Sequence, residues 1–111
     1  MSCVIKLNEL DYINTSHSSG LKKIIENQGS NSLIPQIAVG LIKKNDKIPI
    51  HKHKSMIEYF YIIKGKGEFK IESRTFNCEA GDFIKVKNNM KHSIFAIEDF
   101  EFFYFGVNTD S

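Results

Sequence analysis

From residue 36 onward the chain is a succession of short apolar or alternating segments, each closed by turn-forming residues. Residues 36–43, 57–64, 68–72, 74–78, 82–87, 92–97 and 100–106 are rich in β-branched and aromatic side chains. Between them stand Lys44-Asn45-Asp46-Lys47, Gly65-Lys66-Gly67, Glu79-Ala80-Gly81, Asn88-Asn89 and Glu98-Asp99. Branched and aromatic residues suit a pleated, half-buried surface, whereas Gly, Asn and Asp suit the dihedrals of turns. The cadence leaves no room for the crossover helices of a parallel sheet, and it predicts an all-β sandwich or barrel. The Gly65-Lys66-Gly67 pair is no nucleotide loop, because no helix follows it.

The first third is less regular. Residues 3–7 alternate weakly, which predicts a short N-terminal edge strand, and the Ser- and Asn-rich residues 11–20 read as a loop. His17 lies in that loop and reads as an exposed residue without a special role. Residues 21–26 suit either one helical turn or a short strand, and 28–35 suit a second loop. Neither repeats nor linkers divide the sequence, so one domain is expected over residues 1–111.

A chain of 111 residues can bury roughly two thirds of its unfolded surface without disulfides or structural metal. A metal in this protein would therefore serve function rather than folding. Cys3 and Cys78 lie far apart with no CxxC spacing, and no basic stretch followed by an apolar run opens the chain. A reduced, cytoplasmic protein is expected. The apolar runs at 59–63 and 102–105 fall far short of the roughly 20 residues of a membrane span, so no membrane partner is expected.

The net charge of +2 conceals an excess of lysine in the middle of the chain, where residues 43–91 carry eleven Lys and Arg74 against six acids. Arg74 stands alone among fifteen basic residues, and the guanidinium is the group that reads bases and phosphates bidentately. No apolar periodicity before residue 36 could form a helix-turn-helix. The Lys-rich region reads as a solvated face, and no nucleic-acid partner is expected.

Chemistry concentrates in His51-Lys52-His53-Lys54-Ser55-Met56-Ile57-Glu58. Two histidines one residue apart on an extended segment share a side, and Glu58 follows a short turn, so three donors can converge. His92 opens a later segment and offers a fourth. The set outlines a metal site, against the alternative of scattered histidines and a surface carboxylate. Strand parity would then turn Phe60 and Ile62 into the same cavity and Tyr59, Tyr61 and Ile63 outward, while Ile94 and Ala96 share the face of His92. Phe60, Ile62 and Ile94 are accordingly expected to line a pocket.

These residues carry a resemblance. His51-x-His53, four residues, Glu58, six residues and Gly65 resembles the first cupin motif, over about 45–65. Gly81 followed eleven positions later by His92 resembles the second, over about 81–96. The departures are Asn45 where a glycine is expected, Lys87-Asn88-Asn89 for Pro-x-Gly, and Ala96 for an asparagine. Asn is the non-glycine residue that best tolerates positive φ, so the turns at Asn45 and Asn89 can survive.

The resemblance implies the jelly-roll barrel, or double-stranded β-helix, of the cupins. It also implies that His51, His53, Glu58 and His92 form the three-histidine, one-carboxylate set that holds a divalent metal: Fe, Mn, Ni, Zn, Co or Cu. Glu58 is then also a candidate catalytic base. Three functions fit: a metalloenzyme that isomerises, epimerises or cleaves a carbohydrate or other small polar metabolite; an iron-dependent dioxygenase; or a non-catalytic binding or sensing module. Strands apolar on both faces, with Tyr59, Tyr61, Phe103 and Phe105 outward, favour a homodimer.

Overall fold

A computed structural model of the protein describes residues 3–17 and 19–109. Ten strands follow in order: β1 (Ile13–Asn14), β2 (Leu21–Asn27), β3 (Gln36–Ile42), β4 (Lys47–His51), β5 (Met56–Lys64), β6 (Lys66–Ile71), β7 (Arg74–Glu79), β8 (Phe83–Val86), β9 (His92–Ala96) and β10 (Phe100–Asn108). They build two antiparallel sheets, one ordered β1-β2-β3-β10-β5-β8 and the other β4-β9-β6-β7. From β3 to β10 the chain changes sheet at every connection except the β6–β7 hairpin. That alternation makes the fold an all-β, jelly-roll-like double-stranded β-helix.

The start of the chain departs from expectation. Residues 3–7 form no strand; they lead into a 3-10 turn at Leu7–Glu9, and Val4, Ile5 and Leu7 keep exposed side chains. A weak alternation specifies no register without a buried face to reward it. The N-terminal strand is instead Ile13–Asn14, inside the expected loop, paired with Lys22 and Leu21. Residues 21–27 take the strand alternative, paired along β3. The Tyr12 hydroxyl donates to Glu101 on β10 at 3.0 Å, and Lys23 donates to the Leu7 carbonyl at 2.9 Å, tying this segment to the larger sheet.

The core lies between the sheets and follows the parity read from sequence. Glu58, Phe60 and Ile62 are buried while Tyr61 and Ile63 are exposed, and His92, Ile94 and Ala96 are buried along β9. Phe69 and Phe100 are wholly buried and pack edge to face, their ring centroids 6.2 Å apart. Removing each ring from water contributes on the order of 2–3 kcal/mol. On the outer face of the larger sheet, Tyr59 stacks on Phe105 at 5.3 Å and meets Phe83 at 5.9 Å; Phe83 is 61% exposed.

Turn chemistry sets the corners. Asn45 and Asn89 stand at φ 71° and 66°, as the replaced glycines require, and Glu72 at 54° closes the tight β6–β7 hairpin. Asn45 N–H donates to the Ala96 carbonyl at 2.8 Å, and Ala96 N–H donates to the Asp46 carbonyl at 3.0 Å, locking the β3–β4 corner to the end of β9. Gly65 is not a hairpin turn; it is the step by which β5 leaves one sheet and β6 enters the other. Its φ is +88°, and a Cβ there would run into the carbonyl oxygen of Asp99.

Gly81 also has positive φ, +96°, but nothing lies within 4 Å of its would-be Cβ. Gly81→Ala is therefore expected to cost about 1 kcal/mol of stability, the strain of an L residue at positive φ. Gly65→Ala adds a backbone collision and is expected to cost about 3 kcal/mol or more. Urea unfolding of the two variants measures the difference, and equal losses would show that the Asp99 contact does not constrain this corner.

Candidate metal centre

Three strands and one loop deliver the four expected ligands to one end of the barrel. His51, the last residue of β4, stands directly opposite His92, the first of β9, across the antiparallel pair. Glu58 is on β5, opposite Gly106 on one side and Val86 on the other. His53 sits in the loop after β4. That loop is held down by Asn89 N–H donating to the His53 carbonyl at 2.7 Å and by the Asn88 side-chain amide donating to the Lys54 carbonyl at 3.2 Å. One ligating atom from each of His51, His53, Glu58 and His92 falls within 4.8 Å of the others.

Hydrogen bonds fix which ring nitrogens face the centre. His51 Nδ1 lies 2.9 Å from the Pro49 carbonyl and His92 Nδ1 lies 2.9 Å from the Met90 carbonyl. A carbonyl only accepts, so each Nδ1 carries a proton and Nε2 is the nitrogen turned to the centre, where a metal ion could take the place of its proton. His92 Nε2 lies 2.9 Å from Glu58 Oε1, and His53 Nε2 lies 3.2 Å from the same oxygen. His92 is 2% exposed and Glu58 7%. Nε2 atoms converging on a carboxylate in a buried pocket call for positive charge between them, carried by protons on the rings or by a metal ion in their place. Imidazole and carboxylate donors with orienting carbonyls behind them are the chemistry of a divalent transition-metal site, and the cluster is compatible with such an ion.

The electrostatics agree with this geometry. Burial raises the Glu58 carboxyl, but hydrogen bonds from His53 and His92, together with their charge, outweigh it and hold the group at about 2. His53 is raised, chiefly by its hydrogen bond to Glu58. His51 is lowered, chiefly by burial, which favours the neutral, ligating form.

A cavity of about 370 Å³ opens beside the cluster, and His51, His53 and Glu58 form part of its wall. Phe60 and Ile94 line it. Ile62, expected beside them, is not among the lining residues; it is 0% exposed and belongs to the packed core. Two further inward residues per strand carry β5 away from the mouth, so parity places Ile62 on the correct face but too deep. Phe102 and Tyr104 of β10 complete the apolar wall, and the Tyr104 ring stacks on Phe60 with centroids 5.7 Å apart. Burial, and then the charge of Glu58, pushes the Tyr104 phenol up to about 12.

His17, expected to be exposed and idle, also lines this cavity, its ring centroid 4.5 Å from that of His51. Thr15 Oγ1 accepts from the His17 N–H at 3.1 Å and donates to the Ser19 carbonyl at 2.9 Å, and Ser19 donates to the Lys47 carbonyl at the start of β4. The fourth histidine of the chain thus joins the other three by tertiary contact. A lone histidine in a polar loop offers no spacing that could reveal it.

This architecture defines an all-β barrel with a three-histidine, one-carboxylate cluster at its mouth. Residues 38–106 match the family model described as the cupin domain, and the protein belongs to that family. An uncharacterised protein of Methanocaldococcus jannaschii is 22% identical over 80 residues, covering 72% of this chain and 64% of the relative, so the chain spans somewhat under two thirds of that protein. Among solved structures, a predicted oxalate decarboxylase of Thermotoga maritima superposes with a TM-score of 0.80 at 20% identity, over 95% of this chain and 98% of the other. Ectoine synthase of P. lautus superposes with a TM-score of 0.80 at 18% identity, over 97% and 79%. At these identities the likeness concerns the fold.

The Glu58 shift has a definite sign. A carboxyl whose folded pKa lies below its ordinary value of 4.5 stabilises the fold fully above about pH 4.5 and loses that contribution as pH falls toward 2. Chelator-treated protein is expected to lose on the order of 3 kcal/mol across this window beyond any loss in Glu58→Gln. Parallel urea titrations at stepped pH measure it, and identical acid limbs for the two proteins would contradict the His–Glu58 coupling.

Proposed function

We propose that the protein is a divalent-metal-dependent cupin enzyme that isomerises, epimerises or cleaves a carbohydrate or other small polar metabolite. The observation carrying this reading is the convergence of His51, His53, Glu58 and His92 at the wall of an apolar cavity, with the His51 and His92 Nε2 atoms aimed by backbone carbonyls. Enzymes occupy barrels of this shape, the decarboxylase-like and ectoine synthase neighbours among them by their names.

When bound, the divalent ion would supply Lewis-acid polarisation of a ligand oxygen. The remaining roles fall to the chain. Phe60, Ile94 and Phe102 exclude water from the ligand. Glu58 is ionised at neutral pH, since its pKa is held at about 2, and its Oε1 is the atom that would accept a proton from a ligand carbon or hydroxyl. His53, half exposed and hydrogen-bonded to that oxygen, is placed to relay the proton to solvent. The reading takes residues 1–111 as one domain, in a reducing, cytoplasmic setting where Cys3 and Cys78 remain free thiols.

His53→Ala is expected to lower bound metal about tenfold or more while leaving the fold in place, because the core is built elsewhere. Elemental analysis beside thermal unfolding checks both parts, and undiminished metal would remove His53 from the ligand set. Loss of metal below about pH 6, as the imidazoles protonate, is the companion expectation. On a panel of sugars, sugar phosphates and oxo-acids, Glu58→Gln is expected to abolish turnover with ligand binding retained. Iron-dependent oxygen consumption would point to a dioxygenase instead.

The same reading includes a homodimer through the outer face of β5, β8 and β10. Phe83 and Tyr61 are directly opposed there, 61% and 45% exposed, beside Tyr59 and Phe105. An apolar patch of this kind marks an interaction surface. Phe83→Glu combined with Tyr61→Glu is expected to convert dimer to monomer in size-exclusion light scattering. A wild-type protein that is monomeric at high concentration would end this part of the reading.

A further inference from the structure

We propose that the ligand of the cavity is a small carboxylate, anchored by the Lys22 ammonium and oriented by the Tyr104 hydroxyl across from the His51/His53/Glu58/His92 cluster; this rests on the function proposed above and names its substrate class. The charge balance of the cavity carries it. Glu58 is the one carboxylate among the described lining residues, and it is committed to His53 and His92. Lys22 is the one lysine or arginine there. Its position on β2, opposite Gly40 and hence on the inward row of the sheet, directs it to the interior. Its Nζ donates to the neutral Gln36 Oε1 at 2.8 Å, and no carboxylate pairs with it among the described residues. An ammonium facing an apolar-walled cavity without a counter-ion favours an anion there.

Tyr104 supplies the second contact. In register with Phe60 and Ala38 it points inward, and Gly40 gives its ring room, since a Cβ at Gly40 would meet both Phe102 and Tyr104. Its hydroxyl makes no hydrogen bond among the described residues and is not a buried orphan, so it faces the open space of the cavity, free to donate to what enters. A carboxylate or hydroxyl oxygen entering the cavity would accept from it.

The approach to the cavity has the same sign. A second concavity shares Ser30, Pro35, His53 and Met56 with the first and adds Lys52 and Lys54 without an acid. Lysines at a cleft mouth raise the local concentration of anions and speed their entry. The main cavity, at about 370 Å³, lies near the small end of ligand pockets, which suits a small acid.

Isothermal titration of metal-loaded and chelator-stripped protein with lactate, pyruvate and malonate, and with lactamide, pyruvamide and malonamide, tests this. At least one acid is expected to bind the metal-loaded protein, its amide about tenfold or more weakly. Lys22→Met and Tyr104→Phe are each expected to weaken that acid about tenfold, with metal content and unfolding temperature unchanged. Amides binding as tightly as acids, both variants binding like the parent, or no acid binding at all would overturn the proposal. Should the protein hold no metal yet bind an acid through Lys22 and Tyr104, the metalloenzyme reading falls and the carboxylate site stands. Should it hold metal and ignore every acid, the carboxylate site falls and the metal reading stands.

Discussion

A buried carboxylate oxygen shared by two imidazoles is the constraint around which this barrel is arranged. Glu58 Oε1 lies 2.9 Å from His92 and 3.2 Å from His53, in a setting where an isolated charge would be strongly disfavoured. Keeping it there requires three separate parts of the chain to stay in register. β4 must pair with β9 so that His51 faces His92, β10 must run beside β5 with Gly106 opposite Glu58, and the 88–90 turn must hold the His53 loop. The alternation of the chain between sheets satisfies all three, because consecutive strands then lie across the barrel from one another.

The carbonyls of Pro49 and Met90 show how backbone geometry becomes chemistry. Each accepts from a ring two residues later, and each thereby decides which nitrogen of His51 or His92 is turned to the centre. No side chain is spent on this orientation. It follows from the extended backbone at the end of β4 and the start of β9, so the ligand set and the strand boundaries are one feature. The histidines differ in their contacts: partial burial lowers His51, which has no hydrogen bond to Glu58, whereas His53 is hydrogen-bonded to Glu58 and raised.

The cavity shows a similar economy. β5 and β10 place aromatic residues on both faces, so Phe60, Phe102 and Tyr104 wall the interior while Tyr59 and Phe105 cluster outside with Phe83 of β8. One alternation thus yields both a sheltered site and an apolar exterior surface. Lys22, which donates to the neutral Gln36, and Tyr104, whose hydroxyl has no partner among the described residues, interrupt the apolar wall.

What the sequence determined by itself is local in origin. Period-two patterning sets which side chains of β5 and β9 face inward, and the turn residues set the corners, with Asn45 and Asn89 adopting the positive φ of the glycines they replace. The His51-x-His53 spacing, with Glu58 and His92, marked the candidate cluster through its resemblance to the cupin motifs, although the four residues come from β4, the loop after it, β5 and β9. Only tertiary structure decided the rest. Residues 3–7 alternate but find no buried face to fix them as a strand, while Ile13–Asn14 become one by pairing with β2. His17 reaches His51 through a loop tied to β4, Ile62 lies beneath the cavity rather than beside it, and Lys22 and Tyr104 meet the same space from strands far apart in sequence. Strand parity specifies a face but neither depth along it nor what a long loop brings to it, and those are settled only when the two sheets close on each other.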